Sequence, residues 1–324
     1  MVNRKGYLLA FHLLQLLLQD RFEDAVRHVR AQQEAFGRGQ ADADGADALR
    51  QWGAMGAATG SDIMFNWNDV VAASRFQTKM WNIAKFALIQ LEKEGFDPNA
   101  PVTALADRWL LVRLSDTVEA VSNAMEAYQF DAALKAIREF AWDVLADNYI
   151  ELVKGRLYQQ DASRKSACLV LHTAFDALCR LLAPFTPYFA EECYSYLKDG
   201  ESVHKQPWVH FTYDDEAARR EGNMVVQIVA EVRKYKHDNN LALNAPLGRV
   251  TIYAPHTVDD EGDTSRTLNA DVHWRTDVAK LDRVITDVEF NRSVVGKTFR
   301  KDAQAFMAAV KALSPAELEK PPKT

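Results

Sequence analysis

Cysteine is scarce in this chain, with 3 residues among 324, and the count is odd. Such sparse usage excludes a framework of paired disulfides and indicates a protein of the reducing cytoplasm. An excess of positive charge is also missing, because 39 lysines and arginines stand against 45 aspartates and glutamates and leave a net charge of −6. A basic coat over the whole surface is therefore excluded, whereas a local basic stripe is compatible with this composition.

Long apolar runs are absent as well. The most hydrophobic stretch, residues 7–18, contains His12 and Gln15 and is shorter than the ~20 residues that a membrane-spanning helix needs. It leads into a charged segment without a small-residue cleavage site, so it does not fit a secretory signal. Apolar residues recur at helical spacing through residues 7–29, which predicts an amphipathic helix of a soluble protein and no membrane partner.

The sequence has no complete nucleotide-binding loop. Gly296, Lys297 and Thr298 imitate the end of a phosphate-binding loop, but the first glycine of that motif would fall at Asn291. The order of residues also does not bring together a nucleophile, a general base and an orienting acid. We therefore predict no catalytic residue and no cofactor in this chain.

Metal-ligand spacing is lacking too. Cys168 and His172 are one helical turn apart, but no close pair of cysteines accompanies them. The cysteines are therefore predicted to be buried apolar residues and not zinc ligands. The acidic cluster in residues 259–263 lacks the alternating spacing of a calcium loop and is predicted to form a solvated turn. No metal site is expected.

Helical periodicity covers most of the chain. From residue 46 to about residue 197, apolar residues recur at spacings of three and four, most cleanly in residues 130–154 and 164–182. In the first of these two segments one face is formed by Leu134, Ile137, Phe140, Ala141, Val144, Leu145 and Asn148. This pattern of apolar residues predicts a bundle of four or five helices.

The pattern changes after residue 208, where short β-rich segments alternate with helical ones. These segments are a helix over 223–237, a strand over 250–253, a strand over 284–290 and a helix over 303–313. The fold predicted is mainly α, with a small α/β module at its end. Its parts are an N-terminal helical extension (1–44), a helical bundle (45–210) and the α/β module (211–324).

One helical stripe has the chemistry to bind nucleic acid. Spacings of four, three, three and one place Arg75, Lys79, Asn82, Lys85 and Phe86 along one side of a single helix. Cations, an amide and an aromatic ring are suited to holding phosphates, reading a base edge and stacking on an unpaired base. The alternative is that the ring packs inward while the cations are solvated, and helix spacing alone favours that alternative.

Ordered blocks of residues along the chain favour the RNA-binding interpretation of this stripe over the alternative. GADALR (45–50) is followed by GSDIMF (60–65), WNDVVAASRFQTKMWNIAKF (67–86), DRWLLVRL (107–114), LLAPFTPYFAEECY (181–194), SVHKQPW (202–208) and NAPL (244–247). This succession resembles the region just after the catalytic core of valyl-tRNA synthetases, and the archaeal-type members in particular. The similarity spans roughly residues 45–313. The segment KMWNIAKF favours the valine enzyme over the isoleucine and leucine enzymes, which share the architecture.

The resemblance implies a class I anticodon-binding helical bundle that docks the anticodon arm of a valine tRNA, followed by a small α/β module. The matching family helix meets anticodon bases, so Lys79, Asn82, Lys85 and Phe86 become the leading contact residues. Weaker candidates, chosen as cations able to clamp phosphates, are Arg75, Arg113, Arg156, Arg233, Lys234 and Lys236. Four family aromatics, predicted to be core residues, are Trp142, Tyr149, Phe185 and Tyr188.

The departures from the family matter equally. The HIGH and KMSKS motifs, with which a complete enzyme of this family holds ATP, are absent from the sequence, and so is the editing domain. The chain alone is therefore predicted to be unable to activate valine. Three hypotheses stay open: a fragment or truncated product of a ligase, a subunit that docks on a separate catalytic chain through residues 7–29, and a free-standing RNA-binding or scaffold domain.

Overall fold

The structure is a computed structural model, and it describes residues 45–56, 65–92, 97–159, 161–198 and 201–277 together with residue 304. The described residues are mainly helical, which confirms the predicted fold class. The elements are α1 (Ala46–Met55), α2 (Trp67–Glu92), α3 (Leu105–Glu126), α4 (Phe130–Glu139), a π-helix (Phe140–Ile150), α5 (Glu151–Leu157), α6 (Ala162–Leu182), α7 (Pro187–Leu197), a 3₁₀ turn (Val203–Lys205), α8 (Glu216–Asp238), β1 (Leu247–Tyr253), α9 (Asp263–Leu268) and β2 (Ala270–Arg275).

The described residues fall into two compact units. The first comprises those up to Arg249 together with Val258–Asp271, and the second comprises Val250–Thr257 and those from Val272 onward. In the first unit α3 is central and packs against α4, α6 and α8, while α1 lies on α2 and α4. Helix α8 thus belongs with the bundle. The domain limits predicted at residues 44 and 210 stay predictions.

Helix α6 illustrates how local sequence sets the bundle. Its N-cap Asp161 accepts hydrogen bonds from the backbone N–H groups of Ser163 and Arg164, which satisfies donors that have no partner inside the helix. The helix ends at Leu182, two residues before Pro184, because proline has no backbone N–H with which to continue the helical hydrogen bonds. The helix predicted over 164–182 is confirmed.

Residues 130–154 form one continuous helical path with an unpredicted change of pitch. The π-helix Phe140–Ile150 separates α4 from α5, and its wider turns carry hydrogen bonds from residue i to i+5. The apolar face predicted for this segment is buried from Leu134 to Leu145, and Asn148 is half-buried. The π-helix leaves Asp143 and Asp147 exposed while Tyr149 is completely buried.

A small parallel sheet follows the helices. The Leu247 N–H donates to the Asn269 carbonyl over 2.9 Å, and the Ala254 N–H donates to the Arg275 carbonyl over 3.0 Å, so both strands run in the same direction. Helix α9 lies between β1 and β2 in the sequence, as a parallel connection requires. The strand predicted over 250–253 is confirmed.

Several sequence predictions fall outside the described residues. These are the helix over 7–29, the strand over 284–290, the loop-like residues 296–298 and, apart from residue 304, the helix over 303–313. Within the described part of the chain, none of the helices is both long and apolar enough to cross a lipid bilayer.

Gly222 on α8 lies directly against the side chain of Trp109 on α3. A Cβ atom added there would lie 2.4 Å from two ring atoms of Trp109, whose indole N–H donates to Asn223 over 2.9 Å. We expect Gly222→Ala to lower the free energy of unfolding by about 2 kcal/mol, because the ring must move within a packed interface. Urea unfolding would measure the change.

Gly248 supplies the matched control for this substitution. A Cβ at Gly248 meets no heavy atom within 4 Å. Gly248→Ala should therefore change the free energy of unfolding by no more than about 0.5 kcal/mol. Equal effects at both positions would contradict the close packing of α8 on α3.

Candidate nucleic-acid interface

Helix α2 has one buried side and one solvated side. The buried side includes Val70, Phe76, Met80 and Ala84, which recur at helical spacing and are almost inaccessible. Because this apolar stripe faces the bundle, the opposite side of the helix points outward. We call the exposed residues Arg75, Trp81, Asn82, Lys85 and Ile89 the α2 face.

Arg75, Asn82 and Lys85 lie where the sequence analysis placed them. All three side chains are exposed, and their spacing puts them along almost three turns of the same helix. Their exposure is compatible with contact to a phosphate or a base edge. Their role as RNA contacts stays a prediction.

Lys79 is only partly available. Its Nζ lies 2.7 Å from Asp147 Oδ1 and 3.6 Å from the centre of the Trp142 ring, so the ammonium has both an ion-pair and a cation–π partner. The lysine side chain is 27% exposed and that of Asp147 is 50% exposed. An incoming phosphate would therefore have to compete with Asp147 for this cation.

The aromatic group on α2 that faces solvent most is Trp81. Phe86, the predicted stacking ring, is half-buried, whereas Trp81 is exposed. The Trp81 ring meets the exposed Tyr196 of α7 edge to face, with ring centres 6.1 Å apart. The sequence analysis missed Trp81. Its position next to Asn82 and four residues before Lys85 could have identified it as a member of the same stripe.

The weaker cationic candidates divide by burial. Lys234 is exposed, while Arg233 and Arg113 are half-buried. The Arg233 Nη1 donates to the backbone carbonyl of Asp147 over 2.8 Å, on the residue that also pairs with Lys79. The Nε of Arg113 is buried without a hydrogen-bond partner within the described part of the chain. The phosphate roles of these three residues stay predictions.

Arg156 does not have the exposure that a phosphate clamp needs. Its side chain is 1% exposed and forms ion pairs with Asp107 at 2.7 Å and Asp263 at 3.1 Å. Tyr149 and Ser166 also donate to Asp107, and we call these five residues the Arg156 network. Burial acts to lower the pKa of Arg156, but its bonds and charge interactions with both carboxylates raise it overall. The guanidinium is a structural cation.

Lys236 is likewise too deeply buried to be a direct contact. It is 1% exposed, and its Nζ donates to the carbonyls of Leu243 and Leu268 over 2.8 and 2.9 Å. Burial lowers the pKa of its ammonium. Lys236 thus connects α8 with the following loop and with α9, because its ammonium donates hydrogen bonds to both.

The aromatic predictions have mixed outcomes. Tyr149 and Phe185 are fully buried, as predicted, and Trp142 is half-buried. Tyr188 was predicted to be a core residue but is 71% exposed, because it lies in the first turn of α7 on the side away from the bundle. The prediction for Tyr188 is therefore wrong.

The acidic segment at 259–263 is not the solvated turn that was predicted. Asp263 is buried in the Arg156 network, and Asp260 is almost buried and accepts from the backbone N–H groups of Gly262 and Thr264. The two carboxylates thus organise the start of α9. All three cysteines are buried thiols, and burial raises the pKa of Cys179. No group of ligands within the described residues is arranged to hold a metal ion.

Comparison with known families gives this surface a context. The family described as the anticodon-binding domain of tRNA ligase matches residues 107–252. Valine–tRNA ligases from Methanosarcina mazei, Archaeoglobus fulgidus and Natronomonas pharaonis are 47%, 43% and 39% identical to the chain. Each alignment covers 85% of this chain and 32% of the ligase. The chain thus spans about a third of the length of these relatives.

A solved structure shows a weaker likeness. It is the ternary complex of the Agrobacterium radiobacter K84 agnB2 LeuRS with tRNA and LeuAMS. The likeness has a TM-score of 0.41 at 21% identity and covers 52% of this chain and 20% of the other.

Proposed function

We propose that the chain is the C-terminal part of a valine–tRNA ligase, including the anticodon-binding domain, and that it binds the anticodon arm of a tRNA. The RNA in this proposal is the valine isoacceptor. The chain serves valyl-tRNA formation in translation, and the activation of valine with ATP belongs to the rest of a complete ligase. Binding takes place on the α2 face.

The observation that carries this proposal is the exposure of Arg75, Asn82 and Lys85 on one side of α2. An acidic protein repels a polyanion over most of its surface, so RNA needs a local site where cations are accessible. The α2 face offers two such cations with an amide between them and the exposed Trp81 ring beside them. These groups match the phosphate, base-edge and stacking contacts used for single-stranded RNA loops.

Lys85→Gln and Asn82→Ala test the proposal through different properties of the same complex. If Lys85 contacts a phosphate, Lys85→Gln weakens valine and control tRNAs alike and reduces the slope of log K against log salt by about 0.7 to 0.9. If Asn82 reads a base, Asn82→Ala costs about 1–3 kcal/mol for the valine tRNA and reduces discrimination against the control tRNA. Filter-binding titrations at several salt concentrations measure both quantities.

Lys135 on α4 provides the matched control. It is an exposed lysine, so Lys135→Gln changes the net charge by the same amount without touching the α2 face. It should leave the salt slope unchanged. Weak and equal binding of both tRNAs by the unmodified protein, with little dependence on salt, would refute the proposed function.

The alternative of docking on a separate catalytic chain involves residues 7–29, which lie outside the described residues. It stays a prediction. Co-purification of the two chains, with aminoacylation on mixing, is the result that it requires.

A further inference from the structure

A second cationic feature of the first unit is a cleft of about 690 Å³. Its walls come from the end of the π-helix, from α5, from the last turns of α8 and from α9. The ionisable residues that line it are Asp147, Glu151, Lys154, Arg233, Lys236 and Arg266. Four cations and two carboxylates give this lining a net charge of +2, in a chain whose net charge is −6.

Ion pairing accounts for only part of this positive charge. Lys154 lies 3.4 Å from Glu151, and the carboxylate of Asp147 pairs with Lys79. Arg266 pairs with Asp263, a member of the Arg156 network outside the lining. The remaining cations, Arg233 and Lys236, donate to backbone carbonyls in their hydrogen bonds within the described residues. A carbonyl fixes the position of a cation without cancelling its charge, so the cleft keeps a positive field.

The cleft also has accessible side chains at its edge. The Lys154 side chain is 48% exposed, and Tyr158 is 62% exposed. Within the described residues Lys154 is held by an exposed i, i+3 pair with Glu151, which contributes little and is readily exchanged for another anion. Lys236 is buried and contributes to the positive electrostatic field of the cleft. Lys154 and Arg233 supply the hydrogen-bond donors that an incoming anion would contact.

Asp147 connects this cleft to helix α2 through Lys79, which lies one turn from Arg75 and Asn82 of the α2 face. Its carboxylate accepts from Lys79 of α2, while its backbone carbonyl accepts from Arg233 of α8. A polyanion that follows the surface past Lys79 would therefore meet Arg233 next. A small free anion would gain nothing from this continuity, which favours a ligand with several phosphates in a row.

We propose that this cleft binds the sugar–phosphate backbone of the RNA held by the α2 face, with Lys154 and Arg233 as the phosphate contacts. The proposal rests on the proposed function, because it assumes that RNA is the polyanion. Contacts of this kind carry no sequence information. The cleft therefore adds affinity for every tRNA equally, and selection among tRNAs remains with the α2 face.

The double variant Lys154→Gln/Arg233→Gln tests the proposal in the full chain. Because it removes two cations that bind phosphates, the slope of log K against log salt should fall by about 1.4 to 1.8. Affinity should fall by the same factor for valine and control tRNAs, so their ratio is preserved. Lys135→Gln is the control for charge, and a thermal melting curve establishes that the double variant is folded.

Four results separate this inference from the proposed function. An unmodified protein that binds neither tRNA overturns both. Normal binding by the unmodified protein, with a double variant whose slope matches that of Lys135→Gln, overturns the cleft alone. A double variant that changes the ratio between the two tRNAs also overturns it, because phosphate contacts cannot discriminate. If inorganic phosphate stabilises the unmodified protein but not the double variant, while the tRNA slope is unchanged, the cleft takes a free anion and the RNA inference is wrong.

Discussion

Arg156→Met is expected to lower the free energy of unfolding by about 3–5 kcal/mol. Methionine keeps much of the apolar stem but removes all the donors of the guanidinium. Asp107 and Asp263 would then remain buried without the guanidinium that contacts them at 2.7 and 3.1 Å, and while Asp263 retains its pair with Arg266, Asp107 loses its cationic partner. An unpaired carboxylate in such a site must either stay charged at a high cost or take up a proton.

The expected effect is large because the Arg156 network joins five separate elements, one of which is the π-helix that carries Tyr149. Asp107 is on α3, Arg156 on α5, Ser166 on α6 and Asp263 at the start of α9. The Arg156 Nη1 also donates to the Ser163 carbonyl over 2.9 Å. A single side chain thus fixes the relative positions of segments up to 156 residues apart in the sequence, from Asp107 to Asp263.

Lys154→Met is the control, since it removes a cation from the same helix. The Lys154 side chain is 48% exposed, so its loss should change the free energy of unfolding by no more than about 0.5 kcal/mol. Urea unfolding of both variants at neutral pH gives the comparison. A cost for Arg156→Met below about 1 kcal/mol would mean that water or a rearranged side chain compensates both carboxylates.

The helices were predictable because their signal is local. Apolar residues at spacings of three and four identify α6, and the prolines after Leu182 mark its end. The π-helix was not predictable, because the seven face residues in 130–154 recur at spacings of three and four, the same pattern that an uninterrupted α-helix produces. The wider turns of the π-helix expose Asp147 and other residues. Which residues are exposed depends on the path of the backbone and not on the amino-acid composition.

Burial of charge was the part that sequence reasoning could not reach. Arg156 has the appearance of a surface cation between Gly155 and Leu157, and its two acidic partners are 49 and 107 residues away. Lys236 is similar, because its partners are backbone carbonyls that have no residue-type signature. Both were therefore placed among the phosphate contacts, and only the tertiary structure shows that they are buried and that most of their donors are already used.

The exposed positions of Arg75, Asn82 and Lys85 agree with the helix spacing, while their role as RNA contacts stays a prediction. Spacing alone could not decide whether Phe86 or Trp81 faces solvent, because the two aromatic rings lie on opposite sides of the polar stripe. The buried stripe through Phe76 and Met80 settles the rotation of the helix and leaves Trp81 outward. This rotation changes the identity of the expected stacking group.

Trp81→Ala is accordingly expected to weaken tRNA binding by about 1–3 kcal/mol, or roughly 5- to 150-fold in the dissociation constant. A base that stacks on the indole loses the whole aromatic surface in this variant. Stacking is not an ionic contact, so the slope of log K against log salt should stay the same while the affinity falls. That combination distinguishes Trp81 from Lys85, for which slope and affinity should fall together.

Two further substitutions separate stacking from simple loss of packing against Tyr196. Trp81→Phe retains an aromatic face and should recover most of the affinity, whereas Tyr253→Ala removes an exposed ring elsewhere and should have no effect on RNA binding. Urea unfolding of Trp81→Ala checks that the edge-to-face contact with Tyr196, 6.1 Å between ring centres, is not required for the fold. Two results would contradict base stacking on Trp81: Trp81→Phe binding as weakly as Trp81→Ala, or a lower salt slope in Trp81→Ala. The α2 face would then bind RNA through its cations alone.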